Sequence, residues 1–203
     1  MHLTAAKRVL RYLKTTSDLR IHYCRLPHPY LFIIGHTDSD WAGNLKTRKS
    51  VGGCVISLGY VDSNQELVTS GLIHWQGKSQ SVVALSTLEA EYIAASNATR
   101  ESLWLKRILM EAANGMSLTI SDAPVPIFCD NQGAIKLITS RVVRQKSKHI
   151  DVKYHHVHDE QLRGSVKFQY VTSESNPADL LSKPLAALRH EQLLELNGLA
   201  PID

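Results

Sequence analysis

Cysteine is scarce: the 203 residues hold only Cys24, Cys54 and Cys129, widely spaced and with no CxxC pair. An odd, scattered set indicates neither a disulfide framework nor a structural zinc site, and it suits a reducing interior compartment. Long apolar runs are missing too. None approaches the roughly 18 residues that a membrane-spanning helix needs, so no membrane partner is expected. Met1-His2-Leu3-Thr4 has no charged region followed by an apolar stretch, so a secretory signal is not expected. Asn97-Ala98-Thr99 has the form of a glycosylation sequon and, without such a signal, reads as chance. There is no internal repeat and no low-complexity tract. The location implied is intracellular.

What is present is ordinary for a globular protein: 43% apolar and 21% charged residues, in a length that suits one domain with short extensions. Lys and Arg number 23 against 19 acids, and the pI is about 9.0. That mild excess permits nucleic-acid binding without establishing it.

Patterning predicts an amphipathic helix over Thr4–Leu13 and a strand over Arg20–Cys24. Leu31–Asp38 is a nearly continuous apolar run ending in an acid, as in a strand buried on both faces. Gly52–Gly59 and Leu67–Trp75 give two more strands, and the short links predict antiparallel neighbours. From Ser86 to about Ala113 the pattern is helical, with Ser86 or Thr87 as N-cap and Glu89 placed as in a capping box. Pro124–Cys129 is a strand followed by Asp130, Asn131–Ile138 a short helix, and Ile150–Leu162 a helix closed by Gly164. Val166–Val171 alternates as a strand. Asn176–Leu181 opens a helix that Pro184 must limit, and Leu185–Leu196 is amphipathic. The order is an α/β one with a mixed sheet.

Three acids sit in awkward places. Asp38 and Asp130 end apolar strands, and Glu91 lies in a helical stretch among Leu88, Ala94 and Ala95. A fourth, Asp179, follows Asn176-Pro177-Ala178. Singly, such acids are more often helix caps or solvated groups, and Asp130 is itself a candidate N-cap. Brought together, they would repel one another and need cations. Hard oxygen ligands of this kind favour Mg²⁺ or Mn²⁺.

Six ordered motifs carry a resemblance. They are His36-Thr37-Asp38-Ser39-Asp40-Trp41-Ala42-Gly43; Arg48-Lys49-Ser50 with Gly53, together with Trp75-Gln76-Gly77-Lys78-Ser79-Gln80; Ser86-Thr87-Leu88-Glu89-Ala90-Glu91-Tyr92; Cys129-Asp130-Asn131-Gln132-Gly133-Ala134-Ile135; Lys148-His149-Ile150-Asp151-Val152-Lys153-Tyr154-His155; and Asn176-Pro177-Ala178-Asp179-Leu180-Leu181-Ser182-Lys183-Pro184-Leu185. In this order they resemble the ribonuclease H domain of copia-type LTR retrotransposons. Ala5-Ala6-Lys7-Arg8-Val9-Leu10-Arg11-Tyr12-Leu13-Lys14 is similar to the connector after that family's reverse transcriptase.

The resemblance implies a ribonuclease H-like fold, a five-stranded mixed sheet flanked by helices. Residues 30–186 would form the ribonuclease H domain, 1–29 a connector and 187–203 a helical tail. It also implies hydrolysis of the RNA strand of an RNA–DNA hybrid, with two Mg²⁺ ions (or Mn²⁺ in their place) held by Asp38, Glu91, Asp130 and Asp179. Asp38 and Asp40 share one strand face, and Glu89 and Glu91 lie about 200° apart on a helix with apolar neighbours on both. The family pattern selects Asp38 and Glu91. A reverse transcriptase domain of the parent polyprotein is the implied partner, in a cytoplasmic virus-like particle or the nucleus. The different reading is an idle remnant that binds nucleic acid or merely folds. Val171–Asn176 holds no His where many relatives carry a mobile one, which leaves Glu174 or no residue to assist the product side.

Arg141, Arg144, Lys146 and Lys148 form one basic cluster and Lys46, Arg48 and Lys49 a second, both suited to backbone phosphates, with His149 a further expected contact. Asn131 and Gln132 complete the expected nucleic-acid contacts. His149, His155, His156 and His158 are dense, but with no Cys near and no finger spacing, structural or phosphate-contact roles are expected rather than zinc.

Overall fold

In the computed structural model the described residues are 2–24, 30–140 and 156–201. The N-terminal helix α1 (His2–Thr15) leads to a short strand β1 (Leu19–Ile21). The long strands β2 (Tyr30–Asp40), β3 (Val51–Val61) and β4 (Leu67–Ser79) form an antiparallel meander. Helix α2 (Thr87–Ala113) follows, then β5 (Thr119–Ile120), β6 (Val125–Cys129) and α3 (Gln132–Thr139). Residues 156–162 are helical (α4) and precede β7 (Val166–Tyr170). Two helices, α5 (Asp179–Ser182) and α6 (Ala187–Leu196), lead to β8 (Leu199–Pro201).

The main sheet runs β4-β3-β2-β6-β7, with the two-residue β5 added beside β2. It is the five-stranded mixed sheet, flanked by helices, that the resemblance implies. Strands β6 and β7 are parallel to β2, so the chain crosses over through helices, and the carboxyl ends of all three face one way. Asp38 lies inside β2 rather than at its end, because the pairing with β3 continues through Asp38↔Gly53 to Asp40↔Val51. The irregular third strand of the sequence pattern corresponds to register shifts in the β3–β4 ladder near Ile56 and Leu58.

Alternation along β3 separates the two faces. Cys54 and Ile56 join Leu31, Ile33, Tyr92, Ala95, Ala98 and Ile127 in the main core under α2. Val55 points the other way, packing with Leu72, Ala178 and Leu181. Helix α2 begins where expected: Ser86 Oγ accepts from Glu89 N–H, and Glu89 Oε2 accepts from Leu85 N–H at 2.7 Å. Helix α3 is capped by Asn131, whose Oδ1 accepts from Ala134 N–H at 2.9 Å, so Asp130 is free of the capping role.

The two ends of the chain meet. β1 pairs with β8, and the Tyr12 and His190 rings contact edge to face at 5.6 Å. Leu3, Val9, Leu10 and Leu13 on α1 remain exposed. No helix among the described residues is long and apolar enough to cross a membrane.

Helix α5 lies directly on the backbone of the sheet, over the paired glycines Gly53 and Gly77. A Cβ on Gly53 would stand 2.5 Å from Ala178 O, and one on Gly77 would stand 2.6 Å from Leu181 O. Neighbouring Gly52 faces α2, where a Cβ would meet Ala94 Cβ at an ordinary 3.5 Å. Gly53→Ala should therefore cost about 1–3 kcal/mol through overpacking, while Gly52→Ala should cost under about 1 kcal/mol. Urea denaturation of the two variants checks this; equal costs would contradict the close seating of α5.

Candidate active site

The parallel strands deliver the acids to one end of the sheet. Pairing of Thr37 with Cys129 across β2 and β6 sets Asp38 and Asp130 on adjacent chains one step further on. Past β7, Asn176 is fully buried. Its side-chain amide donates to Thr37 O at 3.0 Å, while its Oδ1 accepts from Ala178 N–H. That bracket ties the start of α5 to the residue before Asp38, and α5 opens with Asp179. Carboxylate oxygens of Asp38, Asp130 and Asp179 come within 4.8 Å of one another. A second group, equally close, joins Glu91 and Asp130 to the Cys129 thiol. Glu91 reaches in from α2, its Oε1 accepting from Ser39 N–H at 3.1 Å.

All four acids named from the motifs thus lie at one end of the sheet. The two close choices separate by geometry. Asp40 turns away, its Oδ2 lying 1.9 Å from where a Cβ on Gly43 would stand. Glu89 is spent on the cap of α2. This strand-end position, at the carboxyl ends of parallel strands, is where α/β sheets commonly bind ligands.

Electrostatics show what the convergence costs. Burial, with the negative charges of Asp38 and Asp130, pushes the Glu91 carboxyl up to about 8. Burial also raises Asp38, to about 6, against the pull of Ser182 and Lys183. Asp38 accepts from Ser182 Oγ at Oδ2, and from Lys183 Nζ at Oδ1, 2.9 Å away. Lys183 Nζ also donates to Asp179 Oδ1 at 2.7 Å. Burial works against the Lys183 charge, but the hydrogen bonds and charges of Asp179 and Asp38 hold its pKa above the usual range. Arg189 Nη2 lies 3.5 Å from Asp179 Oδ2 and donates to Ser173 O, and Ser173 Oγ donates to Asp130. Buried Cys129, close to Glu91, has its thiol pushed well above the usual range by burial.

Three carboxylates converging with a single bridging ammonium fit a hard divalent cation, which offers charge compensation to every oxygen at once. The donor set and the raised acid pKa values agree on that fit.

The expected nucleic-acid contacts divide. Arg48 is exposed and held at φ 55°, in a loop where Asn44 Oδ1 accepts from Lys46 and Thr47 N–H and Asn44 O accepts from Arg48 N–H. Lys49 follows it. This loop joins β2 to β3 at the end that carries Asp38. Gln132 is exposed at the start of α3, whereas Asn131 turns its oxygen inward as a cap. Arg141, Arg144, Lys146, Lys148, His149 and His155 lie outside the described residues. His158 Nε2 is 2.8 Å from Ser140 O, and His156 Nδ1 is 4.0 Å from Glu160, which are structural contacts. Glu174 is exposed; its carbonyl accepts from Arg189.

Asn176, Ser182 and Lys183 belong to the last of the six motifs, and the motif by itself assigns them no role. Spacing offered a signal: Ser182 and Lys183 follow Asp179 by three and four residues, one helical face.

No family model matches the chain. It is 37% identical over 199 residues to the retrovirus-related Pol polyprotein from transposon TNT 1-94 of Nicotiana tabacum, covering 98% of this chain and 14% of the relative. The retrovirus-related Pol polyprotein from transposon RE1 of Arabidopsis thaliana is 33% identical over 201 residues, 99% of this chain and 13% of the relative. The chain spans about one seventh of the length of these Pol polyproteins. Among solved structures, LC11-RNase H1 in complex with RNA/DNA hybrid is similar at 18% identity and a TM-score of 0.48, over 74% of this chain and 93% of that one. RNase H1 from the halophilic archaeon Halobacterium salinarum NRC-1 gives 19% identity and a TM-score of 0.45, over 74% and 93%.

The shifted pKa values set a testable pH dependence. Glu91 holds its proton in the folded state to about pH 8 but, unfolded, releases it near 4.5. Between those values the folded state binds more protons, so stability falls as pH rises. His36, buried and lowered to about 4 from 6.5, works in the opposite sense below pH 6.5. The clean window is thus about pH 6.5 to 8, where the protein in EDTA should lose melting temperature with rising pH. Glu91→Gln should flatten that slope and melt higher than the parent at pH 8. An unchanged slope in the variant would show that Glu91 is not the charge responsible.

Proposed function

The chain is a homologue of a segment of the retrovirus-related Pol polyproteins of copia-type retrotransposons, and we propose that this segment is a ribonuclease H that cleaves the RNA strand of RNA–DNA hybrids. The observation that carries the reading is the convergence of Asp38, Asp130 and Asp179 oxygens, with Glu91 beside Asp130, at the carboxyl ends of β2 and β6. These four acids would hold two Mg²⁺ ions, Mn²⁺ substituting. Bound there, the ions would supply an activated water and a partner for the leaving 3′-oxygen. The chain's own work is to hold four carboxylates on rigid elements: Asp38 on β2 in the centre, Glu91 and Asp130 on one side, Asp179 on the other. Asn176 orients Asp179 by fixing the start of α5 to β2. The products expected carry 5′-phosphate and 3′-hydroxyl ends.

Arg48 and Lys49, presented by a structured loop at the same end of the sheet, suit phosphates of the bound duplex, as Gln132 does from α3. The 2′-hydroxyl is the group that marks the RNA strand for cutting. Residues 30–186 would make up the nuclease domain. The segments 1–29 and 187–203, joined through β1 and β8, would link it to a reverse transcriptase domain of the parent polyprotein.

The test is incubation of the purified chain with an end-labelled RNA–DNA hybrid in Mg²⁺, beside Asp130→Asn. The parent should cut the RNA strand and leave duplex DNA whole, with the variant slower by at least about a hundredfold. Binding without cleavage in both Mg²⁺ and Mn²⁺ would instead favour the idle remnant.

A further inference from the structure

Two cations face the acid cluster: Arg189 stands 3.5 Å from Asp179 Oδ2, and Lys183 alone of the two reaches Asp38. Its Nζ bridges Asp38 Oδ1 and Asp179 Oδ1 at 2.9 and 2.7 Å. The carboxylates are almost wholly buried, with side-chain exposures of 0% and 7%, whereas the lysine side chain keeps 32%. Both acids belong to the three whose oxygens converge within 4.8 Å. One ammonium therefore occupies two of the three carboxylates that a divalent ion would bind. With Ser182 on Oδ2, both oxygens of Asp38 are engaged.

A lysine suits a temporary post. Its charge is compact and strongly hydrated, on a flexible four-carbon stem that can swing outward without moving the backbone. Arginine, by contrast, grips carboxylates in a planar fork. Lys183 also follows the last turn of α5, next to Pro184, so its stem starts at the rim of the helix rather than beneath it. A divalent ion arriving at Asp38 and Asp179 meets a like charge already in place, and the two compete for those oxygens.

Building on the proposed function, we propose that Lys183 is a displaceable internal counter-ion, which neutralises the Asp38–Asp179 pair before metal binds and swings to solvent when a divalent ion enters. The device keeps buried carboxylates tolerable in the metal-free chain. It also lowers apparent metal affinity by the fraction of molecules in which the lysine is seated. A purely structural ion pair would behave differently: its loss would destabilise the chain with or without metal and leave metal affinity unchanged.

The experiment measures Mn²⁺ binding to the full chain by calorimetry and by electron paramagnetic resonance, for the parent, Lys183→Met, Lys183→Arg and Asp130→Asn. Melting temperatures are taken in EDTA and in saturating Mn²⁺. Lys183→Met should bind Mn²⁺ about tenfold more tightly than the parent. It should melt lower than the parent in EDTA and recover in Mn²⁺. Lys183→Arg, which keeps the charge, should bind no more tightly than the parent. Unchanged or weaker Mn²⁺ affinity in Lys183→Met would overturn the proposal. Lys183→Gln, with a polar head and no charge, carries the same expectation if the Met variant does not fold. Failure of Asp130→Asn to weaken Mn²⁺ binding would sink the metal-site reading itself, a distinct outcome.

Discussion

Mutual repulsion among buried carboxylates is the constraint on which the site depends. Asp38, Asp130 and Asp179 point their oxygens into a space under 5 Å across, and Glu91 adds a fourth carboxyl group beside Asp130. Such an arrangement is unfavourable on its own, as the raised pKa values of Glu91 and Asp38 show. A sequence selected for stability alone would scatter these groups. Their retention together, on rigid elements and with one bridging ammonium, is the strain expected of a site built to receive external cations.

The rest of the fold holds the acids in place. Parallel pairing of β2 with β6 fixes Asp38 against Asp130 through backbone register, which side-chain changes elsewhere do not readily shift. Asp179 lies on a four-residue helix that could not hold its position unaided. Two devices supply that stability. The paired glycines on β3 and β4 let α5 rest on bare backbone, and Asn176 bonds both to β2 and to the turn ahead of α5. Arg189 on α6 then grips the Ser173–Ser175 turn and stands against Asp179, so the C-terminal helix is part of the site's support. The β1–β8 pairing in turn anchors α6 to the N-terminal segment.

Much of this was legible in the sequence because it rests on local signals. The meander followed from apolar stretches and short links, α2 from its capping residues, and the four acids from motif order. Other features were not legible because they depend on distant partners. That Asp38 sits within β2 rather than at its end was set by pairing with β3, which a lone apolar run does not reveal. The choice between Asp130 and Asn131 as cap of α3 turned on which side chain curls back onto its own helix. Gly53 and Gly77 lie on adjacent strands and match only when the ladder is assembled. The two-residue β5 is too short to leave a periodic trace, and its pairing with β2 is tertiary. The role of Lys183 was half visible: its spacing from Asp179 put the pair on one helical face, but its reach to Asp38, far back in the chain, was not.

The mixed sheet and the homology to Pol polyproteins give the acid cluster its context, and the proposal that the cluster is a cation site is open to direct test. Diffraction from crystals soaked in Mn²⁺, collected for anomalous signal, tests it most directly. The account predicts a strong peak ligated by Asp38 together with Asp130 or Asp179, and Lys183 turned toward solvent. A fully soaked crystal with no peak among these carboxylates, and Lys183 still bridging Asp38 and Asp179, would contradict it.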